Sequence, residues 1–365
     1  MSRRLRAHLV RVFPPAAHGG VEAHAFAGAR MTVGTARDCS VVVDEEMGGI
    51  APVHARIDRM RDGHGLRAFA KGGAVWVDGR PVTAKGAPVT PGSVVRLEDA
   101  VFVVRMWSEE DADAAALPPL PGPVNSCHPT VVQGLRRLQG WRHGGGTFWV
   151  VGEDGCGRSV VIDHLRALVE ESSGRDWITG GPSLEAAARV PDGADPGRTL
   201  VLPPLRDRGE DLLVLIGALC GGHLPQLDVR LVEALLLYDW PGNIRELRLA
   251  VARAHDPRFG AEDPSTWQLS DFPDVQRYVA ELTGAGDPIT VQSPKRPLPT
   301  TEPEMRTKLD AHWWRIHTVA AATGHSRAEV LRHLFSLGIR EPWRRPGVNM
   351  LRETSTRQVP SEWTT

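Results

Sequence analysis

The run TFWVVGEDGCGRSVVIDHLRALVEE, residues 147–171, changes character twice within twenty-five positions. TFWVVG is a short β-type run, and VVIDHLRALVEE spaces its apolar residues as a helix does. Between them lies Gly152-Glu153-Asp154-Gly155-Cys156-Gly157-Arg158-Ser159, the pattern G-x-x-x-x-G-R-S. A strand, a glycine turn and a helix start in that order let backbone N–H groups curl around a phosphate, with a lysine reaching the terminal phosphates and a hydroxyl on magnesium. Arg158 stands in the lysine's place. Its planar fork fits a tight phosphate cradle poorly, so nucleotide binding is expected to weaken, and the loop can also be read as a plain strand-to-helix turn.

On either side the chain divides. Residues 1–107 consist of short β-type runs (MTVG, CSVVVD, VHARID, GLRAFA, AVWVDG, SVVRL, AVFVVRMW) broken by Gly, Pro and Asp, which predicts an all-β sandwich. Asp78-Gly79 is a hairpin signal inside it. The stretch 108–129, acidic and then proline-rich, is expected to be a linker, and 130–255 to be an α/β unit followed by amphipathic helices. A second linker is expected over 256–302, a compact helical segment over 303–342 and a frayed tail over 343–365.

Bulk properties narrow the partners. With 365 residues and a net charge of −1, three domains are expected and no global basic field is available, so any nucleic-acid contact must come from a local patch. The four cysteines, Cys39, Cys127, Cys156 and Cys220, form no C-x-x-C pair, which argues against a zinc knuckle or a disulfide framework and fits a reducing cytosol. The start, MSRRLRAHLVRVFPP, is broken by Arg11 and ended by Pro14-Pro15 and reads as a first strand rather than a signal peptide. No apolar run approaches the roughly 18 residues that span a bilayer, so a cytoplasmic protein without a membrane partner is expected.

Near the C-terminus, PEMRTKLDAHWWRIHTVAAATGHSRAEVLRHLFSLGI supplies three helices, with Leu309, Trp313, Ile316, Val319, Ala320, Val330, Leu331, Leu334 and Ile339 as candidate core. Gly324 suits a left-handed helix stop, and Ser326 with Glu329 makes a capping box that starts the last helix. The tight turn resembles the Fis-type helix-turn-helix that closes many bacterial enhancer-binding proteins. That resemblance implies double-stranded DNA as partner through Arg315, Ser326, Arg327, Arg332 and His333; Arg315, Arg327, Arg340 and Arg344 are the expected phosphate contacts, and Arg332 and His333 the candidates for base readout. A homodimer on two half-sites would fit it.

LPPLRDRGEDLLVLI and LLLYDWPGNIRELRLAVARA resemble hallmark stretches of the AAA+ domain of sigma-54-dependent activators, and GEDGCGRS resembles that family's Walker A loop. The resemblance implies that Gly242, Asn243 and Arg245 occupy the lid position where a sensor arginine approaches nucleotide. Gly152, Gly155, Gly157, Arg158, Ser159 and Arg245 are thus the residual ATP-binding set. Between Leu165 and Leu202, however, no hydrophobic strand ends in Asp-Glu and no Gly-Ala-Phe-Thr-Gly-Ala loop occurs. Hydrolysis needs metal-bridged phosphates and a positioned water, so no ATPase activity, no required cofactor and at most weak ATP binding are expected.

The run from MTVG to AVFVV resembles a forkhead-associated (FHA) domain, which recognises phosphothreonine through a Gly-Arg, a Ser-x-x-His and an Asn-Gly-Thr segment. Here Gly34 is followed by Thr35, Ala51 precedes His54, and Gly72-Gly73-Ala74 replaces the last segment. The phosphopeptide set is therefore Gly34, Thr35, Arg37 and His54, with His54 read as architectural, and the domain is expected to dock a protein partner. The expected protein is a DNA-bound regulator built from a sandwich, an abridged AAA+ region and a helix-turn-helix. An active sigma-54 ATPase and an interaction adapter that does not bind DNA are the competing readings.

Overall fold

The computed structural model describes residues 5–16, 19–43, 49–60, 65–119, 124–139, 147–173, 183–187, 190–255, 266–283, 297–311, 319, 323, 330, 333–334 and 336–339. The first hundred residues form two facing sheets. One has the order β2-β1-β11-β10-β7-β8, from β1 (Arg6–Phe13), β2 (Glu22–Ala25), β7 (Val75–Val77), β8 (Arg80–Pro81), β10 (Val94–Leu97) and β11 (Ala100–Trp107). The other has the order β4-β3-β5-β6-β9, from β3 (Arg30–Gly34), β4 (Val41–Val42), β5 (Ala55–Arg59), β6 (Leu66–Ala70) and β9 (Ala87–Val89).

Alternation explains the second sheet. Met31, Val33, Ala55, Ile57, Leu66 and Ala68 point inward and are buried, while Arg30, Arg56, Asp58 and Arg67 lie on the outer face. The β7–β8 hairpin turns on Asp78 and Gly79, both at positive φ, as the Asp-Gly signal predicts.

The centre of the first sheet, β1, β10 and β11, is buried on both faces. Phe102 and Val104 of β11 face the sandwich core, whereas Val101 and Val103, with Val12 and Val94, join a second core built by the helices that follow. That core is formed by α4 (Leu212–Leu219), α5 (Val229–Leu237), α6 (Asn243–Ala254) and α7 (Pro273–Thr283). Trp240, Leu231, Leu235 and Leu247 fill its centre.

Two expected linkers are structured instead. In 108–129, Ser108 and Asp111 form a reciprocal capping box that starts α1 (Glu109–Ala116), with three acids in the favourable first turn. Ala115 and the segment Ser126–Cys127–His128 are buried, so this stretch is a packed strap. In 256–302, Thr266–Trp267 pairs in parallel with Gln226–Leu227, and α7 buries Val275 against the helical core. The proline and glycine content hid short elements whose stability comes from packing rather than from periodicity.

Between strap and helices, α2 (Pro129–Gln139) and α3 (Arg158–Ser173) pack with a small parallel sheet of order β13-β12-β14, made of β12 (Thr147–Val151), β13 (Ser183–Ala187) and β14 (Thr199–Val201). The last core comprises Met305 and Leu309 of α8 (Glu302–Ala311) with Val319, Val330, Leu334 and Ile339. Every described residue of the expected C-terminal core is buried there. Trp313, Ile316, Ala320, Gly324 and Leu331 lie outside the described residues.

Candidate functional site

The phosphate-loop turn sits where the sequence puts it, between β12 and α3. Gly155 and Gly157 have φ of +77° and +100°, which glycine alone adopts without strain. As at any helix start, the first N–H groups of α3 have no intrahelical acceptor. Arg158, however, is paired with Asp154 of the same turn, and Ser159 is exposed.

The lid turn closes onto this loop. A Cβ at Gly155 would lie 2.2 Å from the Gly242 carbonyl oxygen, so the two turns touch backbone to backbone. Ile244 N–H donates to the Gly155 carbonyl at 3.0 Å. Asn243, fully buried at φ +54°, donates from Nδ2 to the Asp154 carbonyl (2.9 Å) and accepts from Leu205 N–H (2.8 Å). Gly242 N–H is held by Glu246 (2.7 Å), whose other oxygen accepts from Tyr238 (2.7 Å). Arg245 is exposed, with its Cβ 3.2 Å from where a Gly155 Cβ would stand. Gly155, Asn243 and Arg245 are therefore brought together.

Sequence reading missed the residues that hold the loop from behind. The segment Arg206-Asp207-Arg208-Gly209-Glu210-Asp211 looks solvent-facing by composition, yet most of it is buried. Arg206 makes a bidentate pair with Glu153 (2.6 and 2.9 Å), and Arg208 donates to the Cys156 carbonyl (2.6 Å). Glu210, with no exposed side-chain surface, accepts both Nε and Nη2 of Arg105 from β11 (3.1 and 2.6 Å). Asp211 accepts from Cys127 N–H (2.8 Å), His128 N–H (2.9 Å) and the Ser126 hydroxyl (2.7 Å). Burial pushes the Glu210 carboxyl up and the Cys156 thiol up, each only partly offset by nearby arginine. The missed signal was the density of alternating charge beside an apolar helix, which fits a buried network as well as a surface.

In the sandwich, Gly34 leaves no room for a side chain, since a Cβ would lie 2.1 Å from the Pro52 carbonyl oxygen. Thr35 donates its N–H to the Ala51 carbonyl, and Arg37 is exposed. His54 is fully buried. Its Nδ1 accepts from Ala51 N–H (3.1 Å) and its Nε2 faces the Ala74 carbonyl (2.9 Å), the architectural role expected of it. Arg56 is turned away, paired with Asp58 and stacked over Phe69.

Of the residues assigned to DNA, Arg315, Ser326, Arg327, Arg332, Arg340 and Arg344 lie outside the described residues. His333 differs from expectation. Its ring is half-buried, with Nε2 2.7 Å from the Pro299 carbonyl, so it packs within the chain instead of projecting outward.

Among the described residues no helix is long and apolar enough to cross a membrane, and no group of His, Cys, Asp and Glu is arranged to hold a metal ion. Residues 206–257 match the family model of the AAA+ ATPase lid domain. The chain is 47% identical over 134 residues to the C4-dicarboxylate transport transcriptional regulatory protein DctD of Pseudomonas aeruginosa, covering 30% of this chain and 29% of that protein. It is 45% identical over 83 residues to the pathogenicity locus probable regulatory protein HrpR of Pseudomonas syringae, covering 19% and 26% respectively. The chain thus spans under a third of the length of either relative. The FHA domain of CT664 from Chlamydia trachomatis aligns with 28% of this chain and 99% of its own length, at 19% identity and a TM-score of 0.25. The lid-model match thus includes Gly242, Asn243 and Arg245, which lie against the phosphate loop, and the relatives are named as regulatory proteins.

Proposed function

We propose that this chain is a DNA-binding transcription regulator that acts without hydrolysing ATP, with its sandwich docking a protein partner. The observation that carries the absence of hydrolysis is the pairing of Arg158 with Asp154 inside the loop, which turns the only loop cation onto the loop's own carboxylate. The sequence of β13, SLEAA, supplies no acidic pair for magnesium or for a water, the two things phosphoryl transfer requires. The lid keeps its contact with the loop, so the region serves as a scaffold.

DNA binding is supported by the relatives, which are transcriptional regulators, and by the separate helical core around Leu309, Val330 and Leu334. Arg327 and Arg332 are the residues assigned to the duplex, and a homodimer on two half-sites fits the reading. The test is salt-dependent binding of the full chain to genomic DNA fragments, compared with Arg327→Ala and Arg332→Ala, alongside a phosphate-release assay. Selective binding lost in the variants, with no release of phosphate, is expected. Weak binding unaffected by either substitution would move the reading to a protein-interaction adapter, and DNA-stimulated phosphate release would restore the ATPase.

A further inference from the structure

The charged segment Arg206–Asp211 sends its side chains in three directions. Arg206 and Arg208 hold the phosphate loop at Glu153 and at the Cys156 carbonyl. Glu210 takes the Arg105 guanidinium from the sandwich, and Asp211 collects the N–H groups of Cys127 and His128 and the Ser126 hydroxyl from the strap. The three parts share one short backbone run. Arg208 closes the set, lying 3.5 Å from Asp211 while bonded to the loop.

The joint is dry as well as connected. Arg208, Glu210 and Asp211 are each at most 2% exposed. Removing one partner from such a network leaves an opposite charge buried without compensation, and the remaining members must relax to absorb it. The sandwich meets the lid through a second buried ion pair, Arg96 with Glu233 at 2.6 Å, in which Arg96 also stacks on Trp76. That pair touches neither the strap nor the loop, and so provides an internal control.

We propose that Arg206–Asp211 is a coupling clasp that makes the order of the phosphate loop depend on the docking of the sandwich, through Arg105, Glu210 and Arg208. A partner that loosens the sandwich at Arg105 then loosens the loop at Cys156, about which the Arg96–Glu233 contact is silent. The inference is independent of DNA binding and of nucleotide chemistry.

The cysteines report it directly. Cys156 in the loop, Cys127 in the strap and Cys39 in the β3–β4 turn of the sandwich are all free and buried, so each reacts only when its surroundings open. The full chain is treated with iodoacetamide and modification is followed peptide by peptide in wild type, Arg105→Met, Arg105→Lys and Arg96→Met. In Arg105→Met, Cys156 and Cys127 are expected to react about tenfold faster while Cys39 is unchanged, the mark of local rather than global opening. Arg105→Lys, which keeps a cation against Glu210, should recover most of the protection of Cys156, and Arg96→Met should leave it intact. The proposal is overturned if Cys156 stays protected in Arg105→Met. It is equally overturned if Arg96→Met exposes Cys156 as much, or if Cys39 rises in step with it, since the route would then be general loss of the fold.

Discussion

Two glycine turns in this chain, one in the sandwich and one before α3, are each held by close contacts, and they carry different side chains. In the sandwich, Gly34 and Gly73 hold the loops against Pro52 and against the His54 ring, but the residue after Gly34 is Thr35 and Arg37 is exposed. Before α3, Gly155 and Gly157 keep the loop shape and the cation is present, but Arg158 is spent on Asp154. Backbone form and ligand chemistry are therefore separable. The first rests on glycines and on buried polar anchors with several partners each, the second on one side chain whose direction a single neighbour can change.

The comparison breaks most readily at its anchors. His54→Ala removes a fully buried ring and leaves the Ala51 N–H and the Ala74 carbonyl without partners, so a loss of roughly 3–5 kcal/mol is expected in chemical denaturation. If stability barely changes, the sandwich turn is not built on His54. Asn243→Ala removes the hydrogen bonds to the Asp154 carbonyl and Glu153 carboxylate of the loop and the one from Leu205 N–H, and places alanine at a left-handed φ, for an expected cost of about 2–3 kcal/mol. Hydrogen exchange of the amides at 155–161 should accelerate in that variant, and unaltered protection would show that the lid does not support the loop.

The smaller effects concern charge. His8 is buried in β1, and burial, opposed by its contact with the Arg6 carbonyl, lowers its pKa below the ordinary 6.5. The folded state then holds fewer protons than the unfolded one, so stability is fully present above pH 6.5 and falls as the pH drops below it. Urea midpoints at pH 7.5 and pH 5.5 should differ more in wild type than in His8→Gln, and an equal difference would remove His8 as the cause. The last test sharpens the contrast between the turns. Asp154→Ala frees Arg158 from an exposed carboxylate, and a rise of a few-fold in pyrophosphate affinity is expected, in keeping with the small worth of exposed ion pairs. Thr35→Arg adds the absent cation to the sandwich, and weak phosphothreonine-peptide binding should appear only there. No gain in either variant would mean that the two turns lack more than a cation.

Local chemistry made much of this legible. The hairpin at Asp78-Gly79, the turn at Gly152–Ser159 and the apolar period of α5 and α6 are properties of a few adjacent residues, and each element formed where its pattern lies. The two expected linkers failed for the opposite reason. α1 and α7 are short and rich in polar residues, and they are held by contacts to strands and helices far along the chain.

One clue to the docked sandwich was nevertheless present and unread. AVFVV in β11 does not alternate, and an unbroken apolar run is what a strand buried on both faces requires. By itself, then, the sequence determined the strands of the sandwich, the strand–turn–helix at 147–171 and the glycine turns, because these depend on backbone freedom and on spacing within a few residues. Only the tertiary structure decided that Arg206–Asp211 is internal, that Arg158 meets Asp154 and that the sandwich rests on the lid. A charge's partner is set by which distant surfaces exclude water together, and no local pattern encodes that.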